Sequence, residues 1–324
     1  MRRLIKKYEE RKALLADCYK QIDNNGCRQV HFYNFWSQLL DEMYWSRWFE
    51  ARPYLLKGHP ELKVGFFSVF GSREVINHTN CDINIFYSAE NLKVASYRGY
   101  VDAFLDEQKI DLSMGFEEFE DERYCRFPNW MDVFFLKQED VPIVCQRLRY
   151  PDISNKTRYA ALVCSHDGGG LRTSMLDGLE KFGIVSCAGN YRHNDDSLKS
   201  KFNDDKMEYL KQFCFNICPE NSNAWGYVTE KIFQSINSGC IPVYWGSCNR
   251  PEPEVLNKDA IVFWKPGNDN SESLRLIEDL TSNPRMMKEF LSQPRLLPTA
   301  EEYISDHLSA VERKISLLIA GLKK

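Results

Sequence analysis

Short apolar runs alternate with longer amphipathic stretches along most of this 324-residue chain. Gln29–Trp36 (QVHFYNFW), Lys63–Phe70 (KVGFFSVF) and Asp82–Tyr87 (DINIFY) have the length and composition of buried strands. Between the first two, Asp41–Arg52 carries Tyr44, Trp45, Trp48 and Phe49, which predicts a helix packing rings onto a sheet. Tyr159–Ser165 (YAALVCS) reads as another buried strand, followed by the glycine-rich turn His166–Gly170 and a helix over Leu171–Phe182. Phe213–Cys218 is a strand, Pro219–Gly226 a polar turn, and Ile241–Trp245 a second strand. The helix between has clear ends: Thr229 caps it and Gly239 stops it. Strand, loop, helix, strand is the βαβ unit of a parallel sheet, and such sheets bind ligands at the carboxyl ends of their strands. Ala260–Trp264 is a further strand, with helices at Glu272–Leu280 and Arg285–Ser292.

Both ends of the chain read as helices. Residues 1–24 place Tyr8, Leu15 and Tyr19 at helical spacing among Lys and Arg, and Asn24-Asn25-Gly26 is a turn signal. Its basic start would suit an anionic membrane surface, although a solvated helix face is the plainer reading. Ala300–Leu322 has Ile304, Leu308, Val311, Ile315, Leu318 and Leu322 in a 4-3-4-3-4 seam, short for a coiled coil and better suited to docking on the chain itself. Residues 138–157 mix Pro, charge and Asn and are the expected linker. The expected division is a helical extension (1–28), one α/β domain (29–150), a second (151–300) and a C-terminal amphipathic helix (301–324).

Composition narrows the picture only a little. With 43% hydrophobic and 13% aromatic residues, the chain has ample material for two cores. A net charge of −4 gives no reason to expect a nucleic-acid partner. No apolar run approaches the length of a membrane span, and MRRLIKKYEERK is too charged for a signal-peptide core. A cytoplasmic address, with peripheral contact at an inner membrane as the variant, is the simplest expectation. Cys145, Cys164, Cys214 and Cys218 lie in apolar runs and read as small buried hydrophobes. No C-x-x-C or H-E-x-x-H pattern occurs, and no D-x-D follows a strand, so neither a zinc site nor an essential divalent ion is expected.

The loop after Cys218 concentrates chemistry. Glu220, Asn221, Tyr227, Glu230 and Lys231 fall within twelve residues, against a helix N-terminus that suits a phosphate. A glutamate in the first turn is also an ordinary match to the helix dipole, and a lysine there is ordinarily solvated, so the residues alone leave both readings open. PENSNAWGYVTEK resembles the signature of the GDP-fucose-dependent α-1,3-fucosyltransferases, F-E-N-S/T followed by Y-V/I-T-E-K, with Pro219 in place of Phe. Asp111–Phe116 (DLSMGF) and Asp121–Pro128 (DERYCRFP) also resemble that family's first-domain pattern, and Ser88–Asn91 resembles its G-E-N element with Ala89 for Gly.

The resemblance implies an α/β chain of the GT-B type, two Rossmann-like domains facing across a cleft, with the donor nucleotide in the second. Lacking an N-terminal span, the chain is similar to bacterial members. The implied reaction moves L-fucose from GDP-β-L-fucose to a β-galactosyl-GlcNAc acceptor with inversion, giving a Lewis-x-like product. Glu90 would be the general base and Glu230 would stabilise the transition state. Arg172 and Lys231 would meet the diphosphate, Asn221 and Tyr227 would orient sugar or phosphate oxygens, and Glu220 would hold fucose hydroxyls. Asn190, with Tyr191 and Arg192, is the candidate for guanine or ribose. Another nucleotide-sugar transferase of the same architecture, or a non-catalytic nucleotide-sugar-binding module, is the alternative.

Overall fold

The computed structural model describes residues 2–37, 39–103, 109–118, 120–267 and 269–322. The chain divides into two compact units, 1–138 with 305–324, and 139–304. In the first unit the elements are α1 (Arg2–Asn25), β1 (Val30–Tyr33), α2 (Tyr44–Glu50), α3 (Pro53–Leu56), β2 (Val64–Phe67), β3 (Ile83–Tyr87), β4 (Leu112–Gly115), β5 (Tyr124–Arg126) and α4 (Asn129–Phe134). The second contains α5 (Val141–Arg149), β6 (Arg158–Leu162), α6 (Leu171–Leu179), β7 (Val185–Cys187), α7 (Ser197–Phe202), α8 (Lys206–Leu210), β8 (Phe213–Ile217), α9 (Glu230–Asn237), β9 (Ile241–Tyr244), β10 (Val262–Phe263), α10 (Ser271–Ser282) and α11 (Pro284–Ser292). Helix α12 (Ala300–Gly321) starts in the second unit and groups with the first from Ser305 onward.

Each unit is built on a five-stranded parallel sheet. The first runs β1-β2-β3-β4-β5 and the second β10-β9-β8-β6-β7. In the first, successive residues of β1 and β2 form aromatic rows on opposite faces. Phe32 stacks near Phe66 on one face, and Tyr33 stacks on Phe67, 4.9 Å between centroids, on the other. The Trp45 ring of α2 lies flat on Phe66 at 4.9 Å, so the aromatic stripe of that helix meets the sheet as its spacing predicts. Cys18 and Ile22 of α1 pack on the Tyr33 face. In the second unit Leu162, Phe215, Ile217, Val243 and Val262 join Met175, Leu176 and Leu179 of α6 in one core.

Strand β1 is an edge strand, and α1 closes that edge with side chains. The buried Asn25 amide donates to Phe32 O (3.0 Å) and accepts from Phe32 N (2.7 Å), as a neighbouring strand would. One turn earlier, Gln21 accepts from Asn34 N at 2.7 Å.

Several expectations are corrected. Residues 141–149, inside the expected linker, form α5, and the units divide at Gln138/Glu139. Pro142 sits in the helix's first turn, where its missing N–H is harmless. The three-residue strands β5 and β7 and helices α4, α7 and α8 carry too little periodic pattern to be read from sequence. In α12 the buried positions are Ala300, Ile304, Leu308, Val311, Ile315 and Ile319, while Leu322 is exposed. The last step is four rather than three, in keeping with the 3.6-residue period of an α-helix. Glu312 pairs with Arg52 (2.6 Å), and Lys314 donates to three carbonyls between Asp121 and Tyr124. All eleven cysteines are free; Cys145 and Cys218 are buried, whereas Cys164 and Cys214 are half-buried. Among the described residues, no helix is long and apolar enough to cross a membrane.

Candidate active site

The second sheet changes direction once. The chain passes from β6 outward to β7, then returns to the other side of β6 to lay down β8, β9 and β10. Loops leaving β6 and β8 therefore diverge at their carboxyl ends, and open α/β sheets hold ligands in that crevice.

The β6 loop is shaped by Asp167. Its carboxylate accepts from Arg172 N (3.1 Å), Thr173 N (2.8 Å) and Thr173 Oγ1 (2.6 Å), capping α6. Burial pushes this carboxyl up, but the hydrogen bonds from Thr173 and the backbone outweigh it and hold it below its usual range. Gly170 enters the helix at φ 75°, and a Cβ at Gly168, Gly169 or Gly170 would meet nothing within 4 Å, so the face of the turn is open. From this turn Arg172 reaches across the switch point. Its guanidinium donates to His166 O (3.0 Å) and to Asn221 Oδ1 (3.1 Å) on the β8 loop.

The β8 loop is organised by a buried carboxylate. Glu220, 2% exposed, accepts from Thr229 N (2.8 Å), Thr229 Oγ1 (2.7 Å), Lys231 Nζ (3.2 Å) and Tyr244 Oη (3.3 Å). Glu220 was expected to hold fucose hydroxyls, yet it faces inward with its oxygens engaged by protein donors. Its charge sits at the start of α9, where the helix dipole favours it. Tyr244 is pushed far up, first by burial and then by this carboxylate. Gly246 gives the carboxylate room: a Cβ there would stand 2.5 Å from Glu220 Cγ. Thr229 caps α9 as its sequence predicts, and its hydroxyl also accepts from Lys231 Nζ at 3.0 Å. Lys231 is thus held at the helix start with its side chain 21% exposed. Glu230 beside it is half-buried, and the Tyr227 ring, expected to orient ligand oxygens, is 1% exposed and packs under the loop. Asn190 lies exposed past β7. Tyr191 meets the Thr173 hydroxyl, while Arg192 pairs with Asp177 (2.7 Å) on α6 instead of standing ready for a base.

Glu90 belongs to the first unit. It stands just past β3, the middle strand, in a turn closed by Ser88, whose Oγ accepts from Glu90 N (3.1 Å) and donates to Glu90 O (2.9 Å). Its side chain is half-exposed.

Two family models match the chain. The α-(1,3)-fucosyltransferase FucT N-terminal domain matches residues 30–133, and the glycosyltransferase family 10 (fucosyltransferase) C-terminal domain matches 153–300. The chain belongs to glycosyltransferase family 10. The α-(1,3)-fucosyltransferase FucT of Helicobacter pylori is 28% identical over 214 residues, 55% of this chain and 41% of that protein. The chain therefore spans less than half the length of that curated relative. A crystal structure of an α1,3-fucosyltransferase matches with a TM-score of 0.59 at 20% identity, covering 88% of this chain and 89% of that one. A second, described as carrying GDP-fucose, matches with a TM-score of 0.54 at 19% identity and the same coverage. These likenesses identify the fold as GT-B.

Three features of this family 10 chain escape the motif. Lys206, at the start of α8, donates to Gln234 Oε1 (2.9 Å) of α9. Burial pushes its ammonium below the usual lysine value, and the nearby Glu230 charge draws it back up. Its distance in sequence from the signature hides it. The Arg250 guanidinium lies 5.1 Å over the exposed Trp225 ring, joining the loops after β8 and β9. Ser247, Cys248 and Asn249 all take left-handed φ values of 48–54°, which Asn tolerates but which costs Ser247 and Cys248 about 1–2 kcal/mol each. The turn is clasped to the β8 loop by Gly226 N to Ser247 Oγ (3.1 Å) and Cys248 N to Asn223 Oδ1 (2.7 Å). Backbone strain of this kind collects at ligand sites.

Proposed function

We propose that the chain transfers L-fucose from GDP-β-L-fucose to the 3-hydroxyl of GlcNAc in β-galactosyl-GlcNAc glycans, giving an α-1,3 linkage and a Lewis-x-like product. One observation carries this reading: Arg172 bridges to Asn221 across the switch point, with Lys231 held at the adjoining helix start. Two cations on diverging loops are what a departing nucleoside diphosphate needs. The Y-V-T-E-K signature and a solved α1,3-fucosyltransferase of like fold described with GDP-fucose support the choice of donor.

In this mechanism the acceptor oxygen attacks fucose C1 as the C1–O bond to the diphosphate breaks. Glu90 takes the hydroxyl proton. GDP leaves with the bonding electrons, and its growing charge falls on Arg172 and Lys231. Glu230 opposes the positive charge that develops on the fucosyl ring. Asn221 holds the guanidinium and a donor oxygen, and Asn190 lies on the nucleoside side. Glu220 acts through others: it fixes Thr229 and Lys231 and touches no substrate. No step requires a divalent ion.

The test is GDP release from GDP-fucose in chelator, with and without N-acetyllactosamine, for wild type and Glu90→Ala. Acceptor-dependent release that the variant loses is expected. A fully active Glu90→Ala would remove Glu90 as base, and no binding of GDP-fucose would overturn the donor. Turnover abolished by chelator and restored by magnesium would contradict the metal-free step.

A further inference from the structure

The first unit carries a cavity that the proposed reaction does not use. It measures about 140 Å³ and opens at the carboxyl end of β1. An apolar cavity on the order of 150 Å³ accommodates a six-membered ring. This one is polar. Asp17, Lys20, Gln21 and Asn24 line it from one face of α1, and Asn34, Ser37 and Phe70 line it from the sheet side. Gln21 is fixed at both ends, donating to Asp17 Oδ2 (2.8 Å) and Asn34 Oδ1 (3.2 Å) while accepting from Asn34 N (2.7 Å). Asp17 is thereby oriented and keeps acceptor capacity for incoming hydroxyls. Asp17 and Lys20 cancel in charge, which favours a neutral ligand.

A row of rings leads away from this pocket. Trp36, 84% exposed, stands edge-on to Phe70 with centroids 5.7 Å apart. Phe70 stands edge-on to Tyr97 at 6.0 Å. Burial raises the pKa of Tyr97 and the charge of Glu90 raises it further, so the last ring of the row is within electrostatic reach of the proposed base. Exposed rings next to fixed carboxylate and amide groups are the surface that sugars stack on and hydrogen-bond to.

Resting on the reaction proposed above, we infer that this ledge and pocket form an acceptor subsite for neutral sugar units beyond the one that receives fucose. The N-terminal domain model starts at residue 30, so α1 supplies the pocket's Asp17, Lys20, Gln21 and Asn24 from outside the matched segment. Helix α1 then sets which extended glycans this chain uses.

The test compares N-acetyllactosamine with its tandem-repeat tetrasaccharide as acceptors, for wild type, Trp36→Ala and Asp17→Asn. The ratio of kcat/KM, tetrasaccharide over disaccharide, is expected to fall about tenfold in Trp36→Ala and about threefold in Asp17→Asn. Thermal protection by GDP-fucose reports separately on the second unit, and a cooperative melt like that of wild type verifies the folding of each variant. An unchanged ratio in both variants would overturn the subsite. If wild type transfers to neither acceptor, the fucosyl-transfer reading fails on its own, and saturation-transfer NMR with the tetrasaccharide decides the subsite. Saturation lost in Trp36→Ala supports it, whereas saturation equal in both proteins, or absent from wild type, overturns it.

Discussion

Both units rest on five parallel strands, but they are wound differently and held differently. The first sheet is laid down in simple order, β1 to β5, so its carboxyl edge has no switch point. Groups there stand on single turns, as Glu90 does, and the pocket beside β1 mixes rings and amides with the opposed charges of Asp17 and Lys20. The second sheet reverses at β6/β8, and its carboxyl edge is braced by charge, Glu220 with Lys231 and Asp167 under Arg172, while at the opposite, amino end of β6 Arg158 pairs with Asp195 at 2.7 Å. Winding order decides where loops diverge, and diverging loops are where oriented charge can gather without collapsing on itself. The aromatic first unit suits a neutral sugar acceptor, and the charged second suits a diphosphate.

The sharpest way to break this contrast is to remove the bridging guanidinium. Arg172→Ala is expected to lower kcat/KM for GDP-fucose about 10²–10³-fold, and Arg172→Lys to recover little, since an ammonium cannot span His166 and Asn221 together. Steady-state kinetics that leave either variant near wild type would remove the switch point from the chemistry. Next in size is Glu220→Ala, which strands Lys231 and Thr229 N in a buried site. A loss of about 3–5 kcal/mol in urea unfolding of the second unit is expected, together with weaker GDP-fucose binding by calorimetry.

Acid separates the units further. Asp195 is pushed up by burial, but hydrogen bonds from Ser197, Tyr209 and Arg158 outweigh this and leave its carboxyl far below the usual value. Its contribution is complete above the unfolded carboxylate value near pH 4 and is lost as pH falls through the lowered folded value. Asp195→Asn is expected to cost about 2 kcal/mol at neutral pH, with the gap to wild type closing in acid. Glu117 of the first unit works in the opposite sense, because burial raises its carboxyl and protonation favours its folded form. Thermal melts from pH 7 to pH 3 would detect this, and a parallel decline of wild type and Asp195→Asn would refute it. The smallest expected effect lies at the neutral edge of the first sheet. Asn25→Ala removes two buried hydrogen bonds to Phe32 and is expected to cost about 1–2 kcal/mol with little dependence on pH, by the same melts.

How much of this was legible in the sequence follows the same divide. Apolar runs located the long strands, and the Thr229 cap and Gly239 stop bounded α9, because those signals are local. The order of strands is not local, so the crevice between β6 and β8 was visible only through the resemblance. The signature gives residue types without their directions: Glu220 and Tyr227 share its loop with Asn221 yet face the interior. Three-residue strands such as β7 present no period to read, and α5 hid behind a proline that its first turn tolerates. Lys206 reaches the site only through folding, from well outside the motif.

Helix α1 doubles as the missing neighbour of β1, with Asn25 and Gln21 taking the hydrogen bonds that another strand would take. A fragment trimmed to the family boundary at residue 30 would bare that edge and turn it into adhesive. Poor solubility of such a fragment would then reflect one uncovered strand, and would say nothing against the sugar chemistry of the intact chain.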